Sequence, residues 1–172
     1  MICGVDPGIA GAIAFLDPAS PQSLDVVDMP TLVVIKNKRA VDAHALAALL
    51  SRPLDHVYLE RAQAMPGQGT VSMFNYGEGF GIIRGILAAR SIAYTLVPPV
   101  TWKRALQVPA AKDGAKARAS QLLPASAHLW TRRVKDHGKA EAALLAFYGA
   151  RQLQSRPAND DLPAAAATIS AR

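Results

Sequence analysis

The chain opens on a segment that leaves few folds available to it: Ile2-Cys3-Gly4-Val5-Asp6-Pro7-Gly8-Ile9-Ala10-Gly11-Ala12-Ile13-Ala14-Phe15. A short apolar run ends on one carboxylate, turns through Pro7-Gly8 and resumes as a second apolar run. That pattern predicts a buried strand, a tight turn and a returning strand. Asp6 inside so apolar a stretch is costly to bury unless a cation or a proton meets it. Asp before Pro-Gly is also ordinary turn chemistry. Asp6 is therefore either a turn-former or a strand-end carboxylate for a metal or phosphate site. The second reading gains weight only from other carboxylates in comparable settings.

Two further settings of this kind occur. His56-Val57-Tyr58-Leu59-Glu60 is again a short apolar strand ending on an acid, followed by the turn-rich Arg61-Ala62-Gln63-Ala64-Met65-Pro66-Gly67-Gln68-Gly69. Parallel neighbours of this design would place both acids at one edge of a sheet, where α/β proteins hold ligands. The third setting is an amphipathic helix entered near Asp136, with Ala140, Ala143, Leu144, Phe147 and Tyr148 as its apolar face. Glu141 lies beside that face. At about 100° per residue His137 and Glu141 are neighbours, and Asp136 reaches the same place if it precedes the first turn. The plainer alternative is a surface His-Glu pair with an N-capping Asp.

The remaining segments supply the frame. Leu24 to Met29 alternates as a third strand, so residues 2 to 29 form an antiparallel meander. Thr31 to Ile35 is β-prone and ends in a basic loop, Lys36 to Arg39. Asp42 is a candidate N-cap for a helix carrying Leu46, Leu49 and Leu50, stopped at Arg52-Pro53. Residues 70 to 90 form a long helix with Gly77, Gly81 and Gly85 at steps of four. Each glycine costs about 1 kcal/mol of helix stability, so the row implies close packing, preferably on the sheet, with a symmetry mate as the alternative. Phe74, Tyr76 and Phe80 are expected in the core, although an aromatic near a substrate groove can stack on a base. Residues 92 to 97 make a fifth strand, closed by Pro98-Pro99. A basic helix from Val100 and another from Asp113 to Leu123 follow. The expected layout is one domain over residues 1–153 and a loosely ordered tail over 154–172, which is rich in Pro, Ala and Asp.

At 172 residues the chain is long enough to bury one proper core. No apolar run reaches the roughly 18 residues of a membrane span, and no basic-then-apolar leader opens the sequence. The expected location is cytoplasmic. Cys3 is the only cysteine, which excludes an internal disulfide and a Cys/His zinc site. The net charge of +6 favours a polyanionic partner, nucleic acid first. The basic residues fall in clusters: Lys36, Lys38 and Arg39; Lys103 and Arg104; Lys112, Lys116 and Arg118; Arg132, Arg133 and Lys135. Any one cluster reads as a solvated face. Together, flanking the carboxylates, they describe a groove for a phosphate backbone. Asp6, Glu60, Asp136 and Glu141, with His137 beside them, would converge on two Mg²⁺ or Mn²⁺ ions for phosphodiester hydrolysis. The surrounding cations would offset the repulsion between these acids and DNA.

Five stretches in this order resemble one known family. They are Gly4-Val5-Asp6-Pro7-Gly8, Val57-Tyr58-Leu59-Glu60, the segment Gly77 to Gly85, Pro98-Pro99-Val100-Thr101-Trp102-Lys103, and Lys135-Asp136-His137-Gly138-Lys139-Ala140-Glu141-Ala142. From about Met1 to about Gln152 the chain resembles the RuvC-like Holliday-junction resolvases, particularly their phage and prophage relatives. The resemblance implies an RNase H-like α/β fold: a mixed five-stranded sheet flanked by helices, with strands 1–3 antiparallel and strands 4–5 parallel. It also implies a homodimer and paired, metal-dependent nicking of four-way DNA junctions. Asp6 and Glu60 would be metal ligands, and the last helix would supply the rest.

Two departures qualify that carry-over. Bacterial members place their last two ligands three apart, and the residue three before Glu141 is Gly138. Asp136 or His137 must then substitute, with Glu141 in place of the usual Asp. Those members also carry an aromatic residue three after the glutamate of the fourth strand, used at the junction centre. Gln63 stands there, which leaves Met65 or Phe74 as substitutes and allows broader cutting of branched DNA. The alternatives are an RNase H-like nuclease acting on RNA/DNA hybrids and a catalytically inactive junction-binding accessory protein. An actin-like sugar kinase or ATPase is disfavoured by the short chain and the missing second phosphate-binding hairpin.

Overall fold

The computed structural model describes residues 1–36, 38–61, 63, 67, 69–133 and 135–155, together with the backbone of 167–169. In chain order these form β1 (Ile2–Asp6), β2 (Ala12–Asp17), β3 (Ser20–Asp28), β4 (Thr31–Ile35), β5 (Lys38–Val41), α1 (Ala43–Leu49), β6 (His56–Glu60), α2 (Thr70–Ala89) and β7 (Tyr94–Val97). After them come α3 (Pro99–Ala105), α4 (Gly114–Leu122), a 3-10 turn at Pro124–Ser126, α5 (His128–Thr131), α6 (His137–Gln154) and β8 (Ala167–Ile169).

The main sheet has the order β3-β2-β1-β6-β7-β8. β1 and β2 pair antiparallel, as do β2 and β3, while β1 with β6 and β6 with β7 are parallel. This is the expected mixed α/β sheet, five strands in the expected directions. A sixth strand joins it from the tail: β8 pairs parallel with β7. The other tail residues beyond Ser155 lie outside the described set.

Strand alternation sorts the two faces. Cys3, Val5, Ile13, Phe15, Val57 and Leu59 share one core with Leu46 of α1, Leu50 at its C-terminal end, and Ile83 and Leu87 of α2. Ile2, Ala12, Ala14, Leu16 and Tyr58 share the other with Trp102, Ala119, Trp130 and the buried face of α6. On this second face the chain uses small residues to seat α6. A Cβ on Gly4 would collide with the Ala142 carbonyl and the Ala146 amide, and one on Gly149 would collide with the Tyr58 ring. Gly4 therefore lets the helix backbone lie directly on β1. Asp42 caps α1 as expected, accepting from the Ala45 amide at 3.0 Å.

Three expectations change. The basic stretch after Ile35 is not a loop throughout: Lys38 and Arg39 lie in β5, paired antiparallel with β4. Arg39 spans that pair, donating from Nε to the Thr31 hydroxyl at 2.7 Å and from Nη2 to the Thr31 carbonyl at 3.0 Å. Asn37 lies outside the described residues. Gly77, Gly81 and Gly85 do not pack on the sheet. They are exposed, and a Cβ on any of them would meet nothing within 4 Å. Gly79 is the packed glycine, its notional Cβ 3.0 Å from Val41 Cγ2. Phe74, on the same outer side near the start of α2, is 70% exposed rather than in the core. Phe80 does pack against the core, and Tyr76 is half-buried. Among the described residues no helix is long and apolar enough to cross a membrane.

Candidate active site

Ile2, Gly4 and Asp6 alternate onto the α6 face of β1, and Tyr58 and Glu60 onto the same face of β6. The register pairs Val5 with Leu59, so Asp6 and Glu60 end neighbouring parallel strands at one sheet edge. α6 crosses above them. Ala146 and Ala142 lie over Gly4, and one turn earlier Gly138 lies over Asp6. Glu141 is thereby carried to the carboxylates. Glu60 is 8% exposed and accepts a 2.9 Å hydrogen bond from the Trp102 indole on α3. Glu141 pairs with the Lys103 ammonium at 2.7 Å. Asp6 accepts from the Gly8 amide at 3.3 Å across the turn that follows it.

The three acids feel one another. Burial first, then the charges of Glu60 and Glu141, push the Asp6 carboxyl up to about 7. Glu60 is raised by burial and by Glu141, against the pull of Trp102 and Lys103. Burial works to lower Lys103, but the hydrogen bond and charge of Glu141, with Glu60 and Asp6 behind it, hold that ammonium above its ordinary value. Burial and the same three carboxylates push the Tyr76 phenol up, so it remains a neutral donor at the rim of the cluster.

The other expected site residues go elsewhere. Asp136 is buried at 2% exposure against Arg133, whose Nε and Nη2 both reach Oδ1, at 2.9 and 2.7 Å, while Oδ2 accepts from the Arg133 amide at 3.1 Å. Burial pulls the Asp136 carboxyl upward, but Arg133 and Lys139 outweigh it and hold it low. Arg133 and Lys139 both reach Asp28 as well, at 3.1 and 3.4 Å, which ties the start of α6 to β3. Asp136 thus anchors the helix rather than joining the carboxylates. His137 stands 3.6 Å from Asp113 in a groove of about 770 Å³ that it lines with Lys103, Arg104, Lys112 and Glu141. A second groove, about 670 Å³, is lined by Arg39, Arg133 and Lys135 beside the turn after Asp6.

The remaining candidate DNA-binding residues divide. Lys36, Lys38 and Arg132 are exposed. Lys116 donates to the Arg133 carbonyl at 2.8 Å, and Arg118 to the Leu106 carbonyl at 2.6 Å, so both brace the fold. Gln63 is exposed, and Met65 lies outside the described residues. Trp102 escaped sequence reasoning as a site residue, Tyr76 was read as core or base-stacking, and Lys103 only as a phosphate contact. The available signal was the indole N–H of a tryptophan in a buried segment, which must find an acceptor.

Among solved structures, this one is similar to Thermus thermophilus RuvC, with a TM-score of 0.56 over 88% of this chain and 95% of that one at 16% identity. The same protein in complex with Holliday junction substrate gives 0.54 over 88% and 95% at 13% identity. The fowlpox virus Holliday junction resolvase gives 0.51 over 88% and 98% at 21% identity. The chain has the RuvC-like resolvase fold. No protein-family model matches the sequence, and no curated protein matches it either.

Within the RuvC-like fold, the position three before Glu141 is closed to any ligand. A Cβ on Gly138 would stand 2.6 Å from the Ala10 carbonyl, 2.7 Å from Gly11 Cα and 3.0 Å from Asp6 Oδ2. The carboxylates that the structure brings near one another are Asp6, Glu60 and Glu141. All their donors are oxygens, and their mutual repulsion is of the kind a hard divalent cation relieves. As they stand, no group of three or more His, Cys, Asp or Glu side chains among the described residues is arranged to hold a metal ion, and Lys103 supplies the positive charge at Glu141.

Proposed function

We propose that the chain is a divalent-metal-dependent endonuclease that nicks branched DNA, the four-way junction foremost, as a homodimer. The observation that carries this reading is the placement of Asp6 and Glu60 at the ends of neighbouring parallel strands, with Glu141 of α6 near enough that burial and both acids raise the Asp6 carboxyl to about 7. Perturbed acids gathered in a cleft are a functional signature. Of the solved structures of similar fold named above, the fowlpox virus protein is a Holliday junction resolvase and one RuvC structure is a complex with Holliday junction substrate.

Asp6, Glu60 and Glu141 would hold Mg²⁺ or Mn²⁺. The chemistry supplied by divalent ions bound there is activation of a water and stabilisation of the leaving oxygen of a phosphodiester. Trp102 fixes the Glu60 rotamer and favours its ionised form. Lys103 offsets part of the negative field that would otherwise repel a phosphate. The grooves on either side place Arg104 and Lys112, and Arg39 and Lys135, where a backbone can be positioned.

The test is a gel assay of the purified protein on labelled four-way junction, linear duplex and RNA/DNA hybrid, with Mg²⁺ or EDTA. Metal-dependent paired nicks in the junction are expected. Cutting of the hybrid alone would transfer the activity to RNA/DNA hybrids, and binding without cutting would make the chain an accessory protein.

A further inference from the structure

We infer that the β4–β5 hairpin is a DNA-contacting wedge, whose apolar side chains insert at the branch point of a junction while its cations hold the flanking phosphates. The inference rests on the branched-DNA reading above and adds to it an element that lies outside the carboxylate cluster.

Leu32, Val33, Val34 and Ile35 run consecutively along β4 and are 43%, 60%, 55% and 64% exposed. Leu32 and Val33, ahead of the bulge between Val33 and Ile35, point to opposite faces, so the hairpin shows apolar side chains on both sides. It belongs to its own two-stranded sheet, separate from the main one. An exposed apolar strand of this kind invites aggregation unless it has an occupant. The cations are placed around it. Lys36 sits at the turn with a positive φ of 36°, a backbone state side chains rarely adopt, and Lys38 and Arg39 follow on β5. Thr31 holds Arg39 across the strand pair.

The hairpin is joined to the active-site side of the molecule. Its base packs through Val41 against Gly79 of α2. Val34, Ile35 and Arg39 border a small groove with Ile9, which lies in the turn after Asp6, and with Asn75 and Glu78 of α2. Arg39 also lines the groove that holds Arg133 and Lys135. A strand of nucleic acid lying along that groove, beside the turn after Asp6, meets the hairpin.

Charge selects the occupant. A second copy seated strand to strand would bring Lys36, Lys38 and Arg39 against their own equivalents, and like charges across strands are destabilising. Nucleic acid offers phosphates for the cations and flat apolar base faces for the aliphatic groups. Proteins that kink DNA drive aliphatic wedges between base steps in this way. A branch point is the favourable place for it, because bases already unpaired or unstacked are the least costly to open.

The experiment uses the full chain carrying Glu60→Gln to silence cleavage, in Ca²⁺, with a four-way junction bearing 2-aminopurine beside the branch point. The expected parental signal is a fluorescence rise at the branch and none along the arms. Adding Val33→Ser and Ile35→Ser should remove at least half of that rise and weaken junction binding about tenfold, with linear-duplex binding within about twofold and an unchanged circular dichroism spectrum. Lys36→Ala with Lys38→Ala should keep the fluorescence rise while lessening the salt dependence of binding. Parental fluorescence and affinity in the Val33→Ser, Ile35→Ser variant would overturn the wedge and leave the nuclease reading intact. Conversion of a dimer to a monomer by that variant in sedimentation would also overturn it, giving the face to a second copy. A parent that fails to bind the junction at all would remove both.

Discussion

Asp6→Asn is expected to make the metal-free protein more stable, by an amount that grows with pH. In the folded chain the Asp6 carboxyl is raised from 3.8 to about 7. Between those values the folded protein keeps a proton that the unfolded chain has released, so stability falls as pH rises through the window and levels off above about 7. At roughly 1.4 kcal/mol per pKa unit the whole cost is about 4 kcal/mol, of which about 2–3 kcal/mol develops between pH 5 and pH 8. Asparagine keeps the shape and the Gly8 contact partner but cannot ionise, so it removes that slope. Urea unfolding of both proteins in EDTA from pH 5 to pH 8 measures it. The variant should gain on the parent by about 2–3 kcal/mol across the range, and millimolar Mg²⁺ should narrow the gap at pH 8 by stabilising the parent alone. Parallel curves for the two proteins would refute the coupling of burial and carboxylate repulsion at Asp6.

Gly138→Ala forces a methyl group against Ala10, Gly11 and Asp6 and should destabilise the chain by about 1–3 kcal/mol, read as a lowered Tm. Asp136→Asn should keep metal-dependent cleavage within a few-fold, since its partner is Arg133, and Glu141→Gln should lose it; single-turnover cleavage of both variants separates an anchor from a site residue. Trp102→Phe removes the donor that favours ionised Glu60, so the Glu60 carboxyl rises further and the acid limb of the pH–rate profile moves to higher pH, at a stability cost of about 1–3 kcal/mol.

The frame of the site was legible because strands buried on both faces read as short continuous apolar runs. Two apolar strands ending on Asp6 and Glu60 bring both acids to one sheet edge once they pair in parallel, and the apolar stripe of α6 marked an amphipathic helix. Glu141 stood out as an acid beside an apolar stripe. Asp136 misled because sequence periodicity cannot report that Arg133, three residues earlier, folds back onto it before the helix begins. The basic residues after Ile35 concealed a strand, since Lys38 and Arg39 fit a hairpin open to solvent on both faces as readily as a loop. The row Gly77, Gly81 and Gly85 implied a packed face, yet α2 turns a different side inward through Gly79, Ile83 and Leu87. Phe74 follows that outer side into solvent. The pairing of β8 with β7 joins segments some 70 residues apart through a tail of low pattern content, and nothing local foretells it.

The central claim is that Asp6, Glu60 and Glu141 form a metal-dependent nuclease site for branched DNA. Single-turnover cleavage of a four-way junction in Mg²⁺, by the parent and by Glu60→Gln, tests it most directly. The account predicts paired nicks by the parent, abolished in EDTA, and a loss of about 100-fold or more in the variant with junction affinity kept or slightly improved. Cleavage by Glu60→Gln at the parental rate would contradict it.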